Sequence, residues 1–266
     1  MESNQIQVAI IGGGLGGLTL AIQLADKGYS CMVFEKNKYP FHRVCGEYIS
    51  MESWNFLETL GLNLSEQDLP KINQLRVSSP SGNLLTSKLD LGGFGISRYS
   101  LDNQLQQLAK QKGVQVMDGC KVQDVQFQNS DFTIQSSVGE YRADVCIGAW
   151  GKQSNMDTAM ERKFNNALDK KEKNYVGIKY HVKLNFPADQ IELHNFKNGY
   201  CVISKIEGDA YCMCYLTAAA NLKKYKGDIK KMEEEVLMKN PVLKNYFSAA
   251  TFLFDEPLAI SQIRIG

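Results

Sequence analysis

Between Ile11 and Leu18 the chain reads Gly12-Gly13-Gly14-Leu15-Gly16-Gly17, a G-x-G-x-x-G spacing between an apolar run and an amphipathic one. Glycine is entropically costly in regular structure, so such a run demands a geometric reason. The preceding Val8-Ala9-Ile10-Ile11 suits a buried parallel strand. Leu18, Ala21, Ile22, Leu24 and Ala25 then recur at helical spacing as far as Lys27, and Gly28 ends the helix. Cys31-Met32-Val33-Phe34 predicts a second strand with Glu35 at its tip. In a strand–turn–helix of this kind the first glycine permits the tight turn, the second admits backbone to a pyrophosphate, and the third lets helix pack on strand. The helix N-terminus offers unpaired N–H groups and partial positive charge to phosphates. A carboxylate at Glu35 is placed to accept hydrogen bonds from adenosine ribose hydroxyls. These features fall in register and predict a dinucleotide site at Gly12, Gly14, Gly17 and Glu35, with the adjoining Lys36 included.

A chain of 266 residues holds one large domain or two interleaved ones. A net charge of +1 gives no bulk attraction to nucleic acid or acidic membranes, so no nucleic-acid partner is expected. The seven cysteines (31, 45, 120, 146, 201, 212 and 214) are odd in number and include no C-x-x-C. That pattern predicts neither a disulfide framework nor a zinc site, and a reducing, cytoplasmic setting. The N-terminal apolar run is short, lacks upstream positive charge and is broken by glycines, so no secretory leader is expected. No apolar run is long enough to span a bilayer.

Further along, residues 51–60 predict a helix capped by Ser50, and residues 99–111 predict another with Leu101, Leu105 and Leu108 on one face. Residues 74–91 read as a hairpin around Pro80-Ser81-Gly82-Asn83. Short strands are expected at 114–116, 121–128, 131–135 and 141–147. From residue 174 the character changes. Residues 175–184 alternate as a half-exposed antiparallel strand should, and 191–196, 200–206 and 210–216 continue a meander. Helices near 228–238 and 241–247 and a last strand near 258–265 follow. The lysine-rich stretches 163–173 and 223–231 read as solvated faces.

Four stretches carry a family resemblance: the glycine turn through Glu35; His42-Arg43-Val44-Cys45-Gly46-Glu47; Arg98 ahead of its helix; and Ala143-Asp144-Val145-Cys146-Ile147-Gly148-Ala149-Trp150-Gly151. Together they resemble the FAD-dependent oxidoreductases that include para-hydroxybenzoate hydroxylase-type monooxygenases and the geranylgeranyl reductases. The resemblance implies an α/β fold. A Rossmann-like FAD-binding domain of glutathione-reductase type (1–69 and 97–173) would interleave with a mainly antiparallel β substrate domain (70–96 and 174–266). By position, Gly12, Gly14 and Gly17 would face the pyrophosphate, Glu35 the adenosine ribose, and Arg43 and Arg98 the phosphates or ribityl chain, where fixed cations suit oxyanions. Val122 would lie where family members give backbone contacts to adenine. Cys45-Gly46 resembles the Cys-Gly that the reductases place beside the flavin ring, with Gly46 admitting backbone and Cys45 a candidate catalytic thiol. His42 reads as positional.

Three departures qualify the resemblance. Where the monooxygenases continue this last stretch with Asp-Gly, this chain has Trp150-Gly151, so the usual use of NAD(P)H as transient reductant is in doubt. The aromatic Trp-x-Phe-Pro stretch of the reductases is represented only by Tyr200-Cys201-Val202-Ile203-Ser204. Family members also continue into a Gly-Asp segment that is not reached by Gly266, which implies a further C-terminal part. The expected activity is hydroxylation of an apolar or aromatic small molecule. Flavin-dependent alkene reduction and a flavin-free binding role on the same fold are the alternatives. Tyr175, Tyr180, Tyr200, Cys201, Tyr211, Cys212, Cys214 and Tyr215 either line an apolar substrate pocket or form the packing core.

Overall fold

The computed structural model describes residues 5–151, 154, 156–160 and 174–264, so the lysine-rich stretch 163–173 lies outside the described residues. The chain runs β1 (Gln5–Ile11), α1 (Leu15–Asp26), β2 (Cys31–Glu35), β3 (Tyr48–Ser50), α2 (Trp54–Leu60), β4 (Lys71–Ser78), β5 (Leu84–Gly95) and α3 (Arg98–Gln111). Then come β6 (Gln115–Asp118), β7 (Val122–Gln128), β8 (Asp131–Ser136), β9 (Gly139–Gly148) and α4 (Met156–Ala159). The remainder comprises β10 (Asn174–Lys183), β11 (Gln190–Phe196), β12 (Gly199–Lys205), β13 (Tyr211–Ala218), α5 (Ala219–Lys224), α6 (Ile229–Glu235), α7 (Pro241–Ala249), β14 (Thr251–Phe252) and β15 (Leu258–Arg264).

One compact unit comprises Met1–Phe41, Leu57–Leu62 and Tyr99–Leu168. Its sheet has the strand order β6-β2-β1-β9-β8-β7. The β6, β2, β1 and β9 pairings are parallel, whereas β9, β8 and β7 form an antiparallel meander. Strands β1 and β2 are apolar on both faces because both are covered, as expected of a parallel sheet. On one side Ala9, Ile11, Met32, Phe34, Ile134 and Ala143 share a core. Helix α1 buries Gly17, Leu18, Ala21 and Ile22, the stripe expected of helical spacing. Strand β9 begins against β8 and ends against β1, with Ile11 opposite Gly148. The end of β9 is thereby delivered to the glycine turn, where the Ala149 amide donates to the Ile11 carbonyl at 2.8 Å.

The second unit comprises His42–Phe56, Asn63–Arg98 and Asp169–Gly266. Its sheet follows the order β14-β10-β13-β12-β11-β4-β5-β3, with β15 also on β10. Pairing is antiparallel except between β11 and β4. Residues 42–56 belong to this unit rather than to the glycine-turn domain where the sequence reading set them, because β3 pairs with β5 and the Glu47 side chain is bound to β10. The parallel β4–β11 pair is tied to the start of α7. Asn240 donates to Ser78 Oγ (2.8 Å) and to the Asn195 carbonyl (3.0 Å), while its Oδ1 caps the Val242 amide (2.9 Å).

Alternation along β10 sets the character of this sheet. Ile178, Tyr180 and Val182 point one way and join Ile203, Met213, Tyr215, Met232, Leu237, Leu243 and Phe247 in an apolar core. Lys179 and His181 point the other way. They are not solvated, as a half-exposed strand predicts, but buried to 0% and 5% exposure. Register explains their company: Lys179 lies opposite Cys214, and His181 and Ser204 each lie opposite Cys212. Both faces are therefore covered, one by apolar helices and the other by the polar 42–47 loop. Tyr180, Tyr211 and Tyr215 are core residues, whereas Tyr200 is exposed.

Glu233, on α6, lies within the apolar layer and accepts hydrogen bonds from Tyr180 (2.8 Å) and Tyr215 (2.7 Å) through one oxygen. Burial raises its pKa to about 7, against the opposing pull of the two phenols. The folded state therefore holds a proton that the unfolded chain releases near pH 4.5. The associated stability is full below that pH and is lost as pH rises to about 7. Glu233→Gln keeps an acceptor for the tyrosines and removes the titration. In denaturant melts at pH 8 it is expected to exceed the wild type by up to about 3 kcal/mol, with the gap closing by pH 4.5. A gap that does not vary with pH refutes this assignment.

Candidate functional site

The glycine turn is built by backbone contacts too close for side chains. The Gly12 amide donates to the Phe34 carbonyl at 2.8 Å, and Gly12 adopts φ 114°, a left-handed region in which its missing Cβ matters. A Cβ at Gly12 would collide with the Ala149 carbonyl, and one at Gly17 with the Gly12 carbonyl. Gly14 is the N-cap of α1 in extended conformation and offers no side chain to the first turn. No acidic side chain lies in that turn. The first amide of α1 with an acceptor is that of Leu18, which donates to the Gly14 carbonyl at 2.9 Å. Among the described residues the amides of Leu15, Gly16 and Gly17 find no acceptor. A cluster of N–H donors at a helix dipole's positive end is a site for an anion, with phosphate oxygens the best fit.

Glu35 closes the same cradle. It is 4% exposed; Oε2 accepts from the Gly13 amide at 3.0 Å, and Oε1 from the Asn37 amide (3.0 Å) and side chain (2.9 Å). Tyr39, read from sequence only as part of a polar turn, donates its hydroxyl to the Gly13 carbonyl. It packs where a Gly13 side chain would stand. Trp150 lies against Gly148, so the residue that replaces the family aspartate fills the end of β9 with an indole. Lys36 is exposed beside Glu35, and Val122 is a buried core residue at the start of β7.

The other predicted residues lie in the second unit. Arg43, Cys45 and Gly46 are half-buried on the loop before β3, and Arg98 opens α3. The structure joins them through Glu47, which is 1% exposed and adopts φ 56°. Its Oε1 accepts from the Arg98 amide at 2.7 Å and from the Lys179 ammonium; its Oε2 lies 2.6 Å from His181 Nε2. Lys179 also donates to the Arg43 carbonyl at 3.1 Å. The Cys212 thiol donates to the Cys45 carbonyl at 3.3 Å, and Ser204 Oγ to the Gly46 carbonyl at 3.4 Å. Burial pushes the Glu47 carboxyl up, but the bonds to His181 and Lys179 outweigh it and hold the group below its ordinary value. Burial lowers His42, helped by the nearby His181 and Lys179 and opposed by Glu47 and Glu207; its ring meets His181 edge-on at 5.1 Å.

Glu47, His181 and Cys212 bring three potential metal ligands within 4.8 Å of one another. The Lys179 ammonium already supplies positive charge to this carboxylate. Burial also raises Cys212 well above an ordinary thiol, and the thiol donates to the Cys45 carbonyl. The arrangement is a buried ion cluster. In the sequence Glu47 is only one residue of a motif, and the alternation of 175–184 predicts a half-exposed strand. The shared parity of Lys179 and His181 on a strand facing a loop with one acid is the signal that connects them.

Residues 5–200 match the family described as FAD binding domain. The chain is 25% identical over 158 residues to an uncharacterized protein of Methanosarcina barkeri (strain Fusaro / DSM 804), covering 57% of this chain and 38% of that one. It is 27% identical over 172 residues to the FAD-dependent monooxygenase olcE of Penicillium canescens, covering 61% and 37%. It thus spans less than two-fifths of the length of these curated relatives. The fold matches the myxobacterial chondrochloren halogenase CndH with a TM-score of 0.77 at 19% identity, covering 97% of this chain and 64% of that one.

The glycine contacts separate two neighbouring substitutions. Gly17→Ala forces a methyl onto the Gly12 carbonyl and is expected to cost about 2–4 kcal/mol, within the range of overpacking in a tight contact. Gly16→Ala meets nothing within 4 Å and is expected to be neutral or stabilising by up to about 1 kcal/mol. Paired urea melts check both. Equal effects at the two positions contradict the contact geometry.

Proposed function

Because this chain belongs to the FAD binding domain family, we propose that it forms the FAD-holding part of a flavin-dependent oxidoreductase acting on an apolar or aromatic small molecule. The observation that carries this reading is the uncapped start of α1, with Glu35 beside it at the tip of β2. The amides of Leu15, Gly16 and Gly17 are suited to pyrophosphate oxygens, and the carboxylate of Glu35, by its place at the tip of β2, to an adenosine ribose hydroxyl. Arg43, Gly46 and Arg98 are proposed as further cofactor contacts by their positions in the family motifs, with Lys36 and Val122 as minor ones. FAD, when bound, supplies the electron-transfer and oxygen chemistry of such enzymes. The chain's own part is to fix the cofactor's phosphates, orient it and limit water.

Hydroxylation is the favoured reaction, supported by the likeness to a fungal protein named as a monooxygenase. Alkene reduction of the geranylgeranyl-reductase kind is the second reading, supported by Cys45-Gly46. Cys45 would stand as its candidate catalytic thiol. NAD(P)H is the proposed reductant, and Trp150 in place of the usual aspartate is the reason to test it directly.

The test is the visible spectrum of purified protein titrated with FAD. Saturable binding with an altered flavin spectrum is expected, and bleaching by NADPH identifies the donor. Glu35→Gln is expected to weaken FAD by about tenfold or more, the scale of one charge-assisted hydrogen bond. No saturable binding of FAD by the wild type overturns the reading.

A further inference from the structure

The mechanism read from family position assigns no work to Lys179, Glu47 or His181, yet these are among the most buried charged and titratable groups of their unit. Taking such groups from water is costly unless each is paired, and a buried ion pair is weak evidence of stability in itself. Something other than packing strength should account for it. The hydrogen bonds indicate what. Lys179 reaches the Arg43 carbonyl, Glu47 reaches the Arg98 amide, and the Glu47 backbone carbonyl accepts from the Ile96 amide at 3.2 Å. Cys212 and Ser204, from the same sheet face, hold the carbonyls of Cys45 and Gly46. Four successive or near-successive loop residues and the first residue of α3 are therefore fixed from one polar patch.

We propose that Lys179 and Glu47 are positioning residues for FAD: their buried pair fixes the Arg43–Gly46 backbone and the start of α3 in the geometry that presents Arg43, Gly46 and Arg98 to the cofactor. This inference rests on the FAD reading above. It places the origin of cofactor affinity partly in a strand, β10, that carries no family motif. The pair acts through backbone and does not touch the ligand. Preorganisation is its effect: a loop already ordered loses less conformational freedom when a ligand binds.

The experiment compares two ligands on three variants. ADP carries only the adenosine and pyrophosphate portion assigned to the glycine turn and Glu35, whereas FAD adds the ribityl chain and flavin ring, the portion this proposal assigns to Arg43, Gly46 and Arg98. Lys179→Met and Glu47→Gln each leave one buried group without its partner, and the double variant removes both charges together. Calorimetric titration is expected to show FAD affinity at least 30-fold weaker in Lys179→Met and in the double variant, with ADP affinity within twofold of wild type. Thermal melts are expected to show the double variant more stable than either single variant. Equal FAD affinity in a folded double variant overturns the proposal, as does a parallel loss of ADP and FAD, which marks general damage.

Hydrogen exchange on the FAD-free wild type provides a measurement independent of any variant. The amides of Arg98 and Ile96, which donate to the Glu47 side chain and carbonyl, are expected to exchange at least 100-fold slower than that of the exposed Ser81. Equally fast exchange overturns preorganisation. Wild type that binds ADP and not FAD refutes the cofactor reading instead, so the two failures are distinct.

Discussion

In the first unit, one carbonyl oxygen governs what the remaining atoms do. Gly12 O leaves room at position 17 for hydrogen alone, and that approach draws α1 against the end of β1. Once the helix starts there, its first amides have no carbonyl partner and Gly14 has no side chain to give them. The same closeness sets Gly13 beneath Glu35 and Tyr39, so the acid is buried and already bonded at the mouth of the turn. The proposed anion site is thus a by-product of backbone packing. A helix that packed less tightly would permit a capping side chain, and the cradle would be closed from within.

The second unit solves a different problem. Where β10, β13 and β12 lie side by side, its sheet is covered on one face by an apolar layer and on the other by the polar 42–47 loop. The face toward the 42–47 loop meets main-chain carbonyls and a carboxylate, so Lys179, Ser204 and Cys212 are there as donors. Buried backbone groups need partners, and an irregular loop cannot provide them for itself. The loop's polar atoms are paired by the strands, and the strand's ammonium is paired by the loop.

The glycine turn was legible because its constraint is local: spacing, apolar period and terminal acid all lie within residues 8–35. The predicted strands and helices mostly appear where periodicity placed them, with boundaries moved by a few residues. β3, α4, α5 and β14 are not visible in the sequence, being short elements that exist through their packing. The role of Glu47 was not legible, since Glu47 and Lys179 are 132 residues apart and become neighbours only when the 42–47 loop lies on the face of β10. The alternation along β10 is visible in the sequence, but the polar face it marks is buried rather than exposed. A period of two reports that the faces differ, and does not report that one of them is wet. Trp150 was read as a missing aspartate, and its part in filling the end of β9 needed coordinates.

Glu47 adopts a left-handed backbone, a conformation that costs a non-glycine residue roughly 1–2 kcal/mol. Glycine at that position would relax the chain and abandon the Lys179 ammonium in a dry interior. Relief of one stress therefore creates a larger one, and neither position is free to drift alone. Across relatives of this chain, positions 47 and 179 should covary: where the acid gives way to glycine or asparagine, the lysine should have been replaced by a neutral side chain.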